Sequence, residues 1–225
     1  MKFSEKTRET LTHFATQGEN FVFKVGRKQA MMTDNKSRMV EVDIDEEIPL
    51  EVGIFDFKKF VTCMKSFNDP EFLFDEKCIT LSEGKIEAKF TVTSLDLLKY
   101  PAKTPSFVGN GVQLLLEEDI VGRILKYIKV MDCKHLIIES LGGRVVLKVQ
   151  KSPKSNEDRM EIDLGLCDQD FNLSLNVAGL NLLVDSYNLL LSDKKILKLK
   201  STSKEVCYFL AVDSVSYSRC EISSV

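Results

Sequence analysis

The chain has 225 residues, room for one large domain or for two of about 110 residues each. Hydrophobic residues make up 44% and charged residues 29%, which excludes a disordered chain, and no apolar run approaches the roughly 20 residues that span a bilayer. With 31 Lys and Arg against 34 Asp and Glu the net charge is −3, so any attraction to nucleic acid requires cations gathered on one face.

The opening Met1-Lys2-Phe3-Ser4-Glu5-Lys6 turns polar at once and carries no signal-peptide core, so a soluble, intracellular protein is expected. A first helix is predicted over residues 4–16, with Ser4 as N-cap, Glu5 at the positive helix start, and Thr7, Leu11, Phe14 and Ala15 as its stripe. Gly18 ends it. Short alternating segments at 21–25, 29–33, 39–45 and 50–55 follow, with turns at Gly26-Arg27 and Asp34-Asn35, and read as an antiparallel meander. Asp56 caps a second helix whose core face is Phe57, Phe60, Val61 and Met64, and Asn68-Asp69-Pro70 stops it. Strands resume at 71–74, 78–81 and 85–93, the last two joined by a Glu83-Gly84 turn.

The second half repeats this order after a connector over residues 98–112. A short strand at 114–116 leads into a helix over 117–131 striped by Ile120, Val121, Ile124, Leu125 and Ile128. Strands follow at 135–140, 144–150, 159–166 and 171–175, with Gly142-Gly143 as a tight turn and a polar loop at 151–157. The run Ile54-Phe55-Asp56-Phe57-Lys58-Lys59-Phe60 aligns with Ser174-Leu175-Asn176-Val177-Ala178-Gly179-Leu180, so a fourth helix is predicted over 177–184. Strands at 188–192, 196–200 and 206–212 close the half. A repeat of about 115 residues is too long for a solenoid and predicts two similar α+β domains, 1–105 and 106–225, with amphipathic helices on antiparallel sheets. Their open strand edges need partners, and assembly into a closed ring would supply them.

Several chemistries lack support. The six cysteines (Cys63, Cys78, Cys133, Cys167, Cys207, Cys220) show no ligand-like spacing to each other or to His13 and His135, so neither zinc nor any other metal is expected. They read as reduced thiols. No phosphate-binding loop occurs, and Cys133 with His135 reads as ordinary placement rather than as nucleophile and base. Asp43, Asp45, Glu46 and Glu47 read as a solvated loop-edge cluster rather than as a metal or acid–base site. No enzyme activity and no cofactor are expected.

Lys2-Phe3-Ser4, Phe14-Ala15-Thr16, Met32-Thr33 and the stretch Glu51-Val52-Gly53-Ile54-Phe55-Asp56-Phe57 resemble the sliding clamps of tailed bacteriophages related to the T-even group, as does Asn188-Leu189-Leu190-Leu191. The resemblance implies the DNA-clamp fold, two domains with two helices each, and three chains per ring around duplex DNA. It also implies a pocket near the interdomain connector for tails of the replicative DNA polymerase and for the clamp loader ATPase, with transcription co-activators as further partners. The place of action would be the cytoplasm of the infected host cell. A β-rich, ring-forming tail or baseplate protein is the competing reading, against which the cationic second and third helices count.

On this resemblance the DNA-facing residues are expected to be Lys6, Lys58, Lys59 and Lys65 on the first two helices and Arg123, Lys126 and Lys129 on the third. The predicted fourth helix carries no basic residue. The subunit contact is expected between Lys85, Glu87, Phe90 and Val92 of one chain and Arg159, Glu161, Ile162 and Leu164 of the next, two long alternating strands otherwise left as edges. The docking pocket is expected from Pro101, Phe107 and Val108 of the connector, from Tyr208, Leu210 and Val212 of the last strand, and from Met32 or Met39 at the rim.

Overall fold

The computed structural model describes residues 1–33, 35–105, 107–152, 158–192 and 195–218. They form two compact units, Met1–Thr104 with Glu205–Cys207, and Pro105–Lys204 with Tyr208–Val225.

In the first unit, α1 (Glu5–Phe14) starts where the Ser4 hydroxyl accepts the Thr7 N–H at 3.1 Å, and it buries Thr7, Leu11 and Phe14. Then β1 (Phe21–Phe23) and β2 (Gly26–Met32) do not pair with each other. Instead β2 forms a hairpin with β3 (Arg38–Ile48), nested inside an antiparallel pair of β1 with β4 (Val52–Ile54), Phe21 opposite Ile54. The expected meander is broken by Gly26, at φ +92°, and by the fully buried Gln29. The Gln29 amide accepts the Lys24 N–H and donates to the Lys24 and Gly26 carbonyls, each at 2.9 Å, which satisfies the backbone where the chain leaves β1.

Asp56 caps α2 (Phe57–Met64) by accepting the Lys59 N–H at 2.9 Å, and Phe57, Phe60, Val61 and Met64 face inward. Three strands, β5 (Glu71–Phe74), β6 (Cys78–Glu83) and β7 (Ile86–Thr91), form an antiparallel sheet with β7 at one edge. The unit closes on packed phenylalanines, with Phe21 and Phe57 stacked at 4.5 Å between ring centroids and Phe3 and Phe72 tilted at 4.2 Å. Each such pair adds about 0.5–1.5 kcal/mol beyond its buried area. Gly53 allows β4 to lie against the chain beyond β7, since a Cβ there would collide with Leu98 Cδ1 and stand 2.8 Å from the Thr93 carbonyl. A 3₁₀ turn, Leu95–Leu97, follows.

The second unit opens with β8 (Gly109–Leu116) and α3 (Glu118–Met131), which buries Val121, Ile124 and Ile128 and ends at Asp132 with φ +49°. The hairpin β9 (His135–Leu141) and β10 (Arg144–Gln150) is flanked by β11 (Arg159–Leu166) on one side. On the other lie β12 (Asp170–Asn176) and β16 (Ser214–Ser218). In a second sheet β8, β13 (Tyr187–Ser192), β14 (Ile196–Ser201) and β15 (Val206–Ala211) lie side by side, β8 beside β13 and β13 beside β14. An apolar cavity beneath α3, lined by Leu116, Ile124, Leu180, Leu199 and Leu210 among others, marks the centre of this core.

The fourth predicted helix does not form. The second unit has one α-helix among the described residues where two are expected. The Val177 N–H still bonds the Lys134 carbonyl at 2.9 Å in continuation of β12, and the Asn176 side chain accepts the Ala178 N–H at 2.9 Å. Gly179, at φ +66°, then turns the chain out of helical space. The segment that follows is held by side chains: the Tyr187 hydroxyl donates to the Leu183 carbonyl at 2.6 Å, and the Leu183 N–H donates to the Tyr208 hydroxyl at 3.0 Å. Backbone groups that a helix would pair internally are paired with tyrosines. The α+β class with antiparallel sheets stands.

Candidate DNA and partner surfaces

The cations of the first unit differ in how free they are. Lys58, Lys59 and Lys65 are exposed on or just past α2, and among the described residues none of them forms an ion pair. Apart from the Asp56 cap this helix carries no acid, so the charges on its solvent side, Lys58 and Lys59, are both positive. Lys6 lies 3.4 Å from Asp45 in a weak pair whose two side chains are both exposed. Asp45 and Glu46 are not merely solvated: Asp45 accepts the Ser4 hydroxyl at 2.7 Å, and Glu46 accepts the Thr7 hydroxyl at 2.6 Å and the Ser4 N–H. The two carboxylates anchor the start of α1 on β3. The Ser4 hydroxyl, then Lys6, hold the Asp45 carboxyl below the ordinary carboxylate range against the opposing effect of burial.

In the second unit Arg123, Lys126 and Lys129 are exposed along α3, opposite its buried stripe. Arg123 reaches Asp119 one turn earlier at 3.5 Å, with both side chains well exposed, a pair worth only about 0.3–0.5 kcal/mol and easily exchanged. Glu118 and Asp119 occupy the first turn, where they suit the helix dipole and leave the later turns positive.

Both strands assigned to the subunit contact are sheet edges, β7 beyond β6 and β11 beyond β10. On β7, Glu87 pairs with Lys89 at 3.0 Å, and Lys85 sits in the turn before it. Phe90 points inward, its ring 5.0 Å from that of Phe60, so it offers its neighbour backbone rather than side chain. Val92 donates its N–H to the Lys77 carbonyl at 2.9 Å. On β11, Arg159 pairs with Glu161 at 2.7 Å, while Ile162 and Leu164 are half-buried. At the far end of this strand Leu166 is 85% exposed, and Leu141, opposite the same Arg144, is 78% exposed.

The expected docking residues divide between the units. Met32 and Met39 face each other in register across β2 and β3, Met39 buried, and Pro101 is buried in the same unit. In the second unit Phe107 is half-buried and Val108 is 62% exposed. Tyr208, Leu210 and Val212 are a correction: at 3%, 3% and 6% exposure they belong to the core, and burial pushes the Tyr208 phenol well up. Leu210 lines the apolar cavity, and the Tyr208 ring packs edge-on against Tyr187, centroids 5.9 Å apart. A spacing of two says which residues share a face of a strand, and an apolar strand does not say which face is covered. The opposite face of β15 carries Phe209, and Lys198 Nζ stands 5.5 Å from its ring and 5.5 Å from that of Phe107. Phe209 is itself only 5% exposed, so both faces of β15 are covered at this point.

Among the described residues no group of three or more His, Cys, Asp or Glu is placed to hold a metal ion, and no helix is long and apolar enough to cross a membrane. Cys133 is buried, which pushes its thiol up, the reverse of what a nucleophile requires.

No family model matches the sequence. The chain is 21% identical over 223 residues to a protein of Vibrio phage KVP40 named sliding clamp, covering 96% of this chain and 100% of the other. Among solved structures it is similar to a PCNA of A. fulgidus bound to the C-terminal region of FEN-1, with a TM-score of 0.69 at 12% identity over 95% of this chain and 99% of that one. It also matches the PCNA of Thermococcus kodakaraensis, TM-score 0.63 at 15% identity over 94% and 98%. The polymerase III beta chain of Streptococcus pneumoniae gives 0.63 at 12% identity over 92% of this chain and 63% of that one. The chain thus has the sliding-clamp fold over 95% of its length and resembles, over 96% of it, a protein of a Vibrio phage named sliding clamp.

Proposed function

We propose that the protein is a DNA sliding clamp that closes, as a homotrimer, around duplex DNA and tethers a replicative polymerase for processive synthesis. The observation that carries this reading is the likeness, over 96% of the chain, to a phage protein named sliding clamp together with the clamp fold of both units. The surface chemistry supports it. α2 presents Lys58 and Lys59, with Lys65 just past its end, without an opposing acid, and α3 presents Arg123, Lys126 and Lys129 past an acidic first turn. Such helices attract phosphates without reading sequence, and the net charge of −3 leaves the rest of the surface unattractive to DNA. Topological closure makes tight binding unnecessary, so weak contacts let the ring slide.

The edge strands β7 and β11 are the proposed subunit contact, each leaving a row of backbone groups for another chain. Partner tails are proposed to dock at the connector residues Phe107 and Val108; the A. fulgidus PCNA is bound to the C-terminal region of FEN-1. The clamp itself performs no chemistry, and ATP hydrolysis falls to a separate loader. Transcription co-activators are further candidate users of the same dock, and the infected cell's cytoplasm is the proposed place of action. None of the comparisons favours a tail or baseplate protein.

The test is topological. Loaded by a clamp loader with ATP onto nicked circular DNA, the protein should stay through gel filtration in high salt and be lost when the circle is cut. Retention that survives cutting, or none on the circle, rejects the clamp reading.

A further inference from the structure

Within the first unit, the turn after α1 and the entry to α2 enclose a cleft of about 540 Å³, within the size range of ligand pockets. Local packing builds it. Gly18 lies tight against β2, where a Cβ would stand 3.1 Å from Met31 Cε and 3.3 Å from the Met32 carbonyl oxygen. The Glu19 carbonyl accepts the Phe57 N–H at 2.9 Å, which ties this turn to the first residue of α2. Ile54 and Phe57 are both buried, and the bend between them leaves Phe55 outside the core with 63% of its surface exposed. The Phe55 ring lines the cleft and, among the described residues, packs on no other ring.

The charge around this ring is negative on balance. Glu19 and Asp56 are exposed on the cleft, and among the described residues neither forms an ion pair. Asp56 spends Oδ1 on the Lys59 N–H and keeps Oδ2 for another donor. Lys58 is the one cation on the same wall and bridges to neither carboxylate. The carbonyl end of α1 adds a partial negative charge. We infer that the cleft binds an arginine side chain of a partner protein, its guanidinium flat on the Phe55 ring and its N–H groups on the Glu19 and Asp56 carboxylates. A planar cation suits both parts of the site, since it stacks on an aromatic face while its fork of donors meets carboxylates; an ammonium is a compact, strongly hydrated point charge. A nucleotide base would also stack on Phe55, but its phosphate would meet two carboxylates, one of them already capping the α2 N-terminus. An apolar side chain would strip water from both carboxylates and pair neither. The cleft shares no residue with the connector or with β7 and β11, and the inference does not depend on the clamp reading.

The probe is the tripeptide Ala-Arg-Ala, acetylated and amidated so that the guanidinium is its only charge, with a twin in which citrulline keeps the planar shape and loses the charge. Each would be titrated into the isotope-labelled protein at low salt, following the amide NMR signals of Glu19 and Phe55. The citrulline peptide should bind the wild type about tenfold more weakly than the arginine peptide. Glu19→Gln and Phe55→Ala should each weaken the arginine peptide about fivefold, and Lys58→Ala, which removes the one like charge, should tighten it about twofold. All three side chains are exposed, and Glu19→Gln keeps the backbone bond to Phe57, so the variants retain the fold. Equal affinity for the two peptides overturns the inference, as does wild-type affinity in both Glu19→Gln and Phe55→Ala. A single-stranded oligonucleotide that shifts the same signals and is lost in both Phe55→Ala and Lys58→Ala assigns the ring to a base and overturns it. A lower solution mass for Phe55→Ala assigns the cleft to a second copy of the chain and overturns it too. Failure of the wild-type protein to load on circular DNA rejects the clamp reading and leaves this inference standing.

Discussion

Asp185 has 5% of its surface exposed, and burial alone would push its carboxyl up. The Ser201 and Ser203 hydroxyls and the Ser186 N–H, the latter at 2.8 Å, all donate to it and outweigh that effect, so its pKa lies below the ordinary aspartate value. A depressed carboxylate contributes stability that is present above the unfolded-state pKa, near 4, and is lost as pH falls through the folded value. Asp185→Asn should therefore cost about 1–3 kcal/mol in urea unfolding at neutral pH, and the gap to wild type should close in acid. A gap independent of pH would mean that the carboxylate is not the stabilising form. Tyr208 makes a second case. Tyr208→Phe keeps the ring and leaves the half-buried Leu183 N–H without its hydroxyl acceptor, so stability should fall by about 1 kcal/mol while capture of a polymerase tail is unchanged. Weaker capture at unchanged stability would return Tyr208 to the docking surface. At this scale the sequence marks what is apolar. It does not mark the Asp185–serine cluster, whose members lie 16 and 18 residues apart and meet only when β13 and β14 pair.

Elements whose ends are set by local chemistry were legible. Ser4 and Asp56 cap α1 and α2 where expected, because a side-chain oxygen and an N–H three residues on need nothing distant. The fourth helix was not legible, because the repeat alignment passed over Gly179 and over the tyrosines that take up the Leu183 backbone. The β1–β4 pair was hidden for a similar reason, since the Gln29 amide replaces the ladder that a meander would have used. The edges invite a direct test. Successive residues of a strand send their N–H groups to opposite sides, so of Glu161→Pro and Ile162→Pro one removes a bond to β10 and the other an outward donor. The outward variant should remain folded by circular dichroism and elute as a monomer. Should both fold and stay assembled, β11 is not the subunit contact.

The described residues divide into two compact units, the second with one α-helix where the repeat predicts two, and a proposed ring leaves no periodicity within one copy because its symmetry operator relates separate chains. The solution mass should be close to three times 25.5 kDa by light scattering; a value near twice that mass would give a two-subunit ring. The distribution of charge makes the stronger demand. A chain of net charge −3 that holds DNA must do so through a local excess, and Lys58, Lys59 and Lys65 are the largest acid-free group on the candidate helices. All three are exposed and off the α2 core face, so reversing them to glutamate should change stability by no more than about 0.5 kcal/mol and leave the assembly intact. Each phosphate that the ring no longer neutralises should reduce the steepness of log affinity against log salt by about 0.9, measured on duplex DNA at low ionic strength. Loaded on a circle, the reversed ring should also release sooner and give shorter polymerase products. If the slope and product length stay at wild-type values while the ring is intact, α2 does not face the duplex, and the cations of α3 alone would have to account for DNA binding.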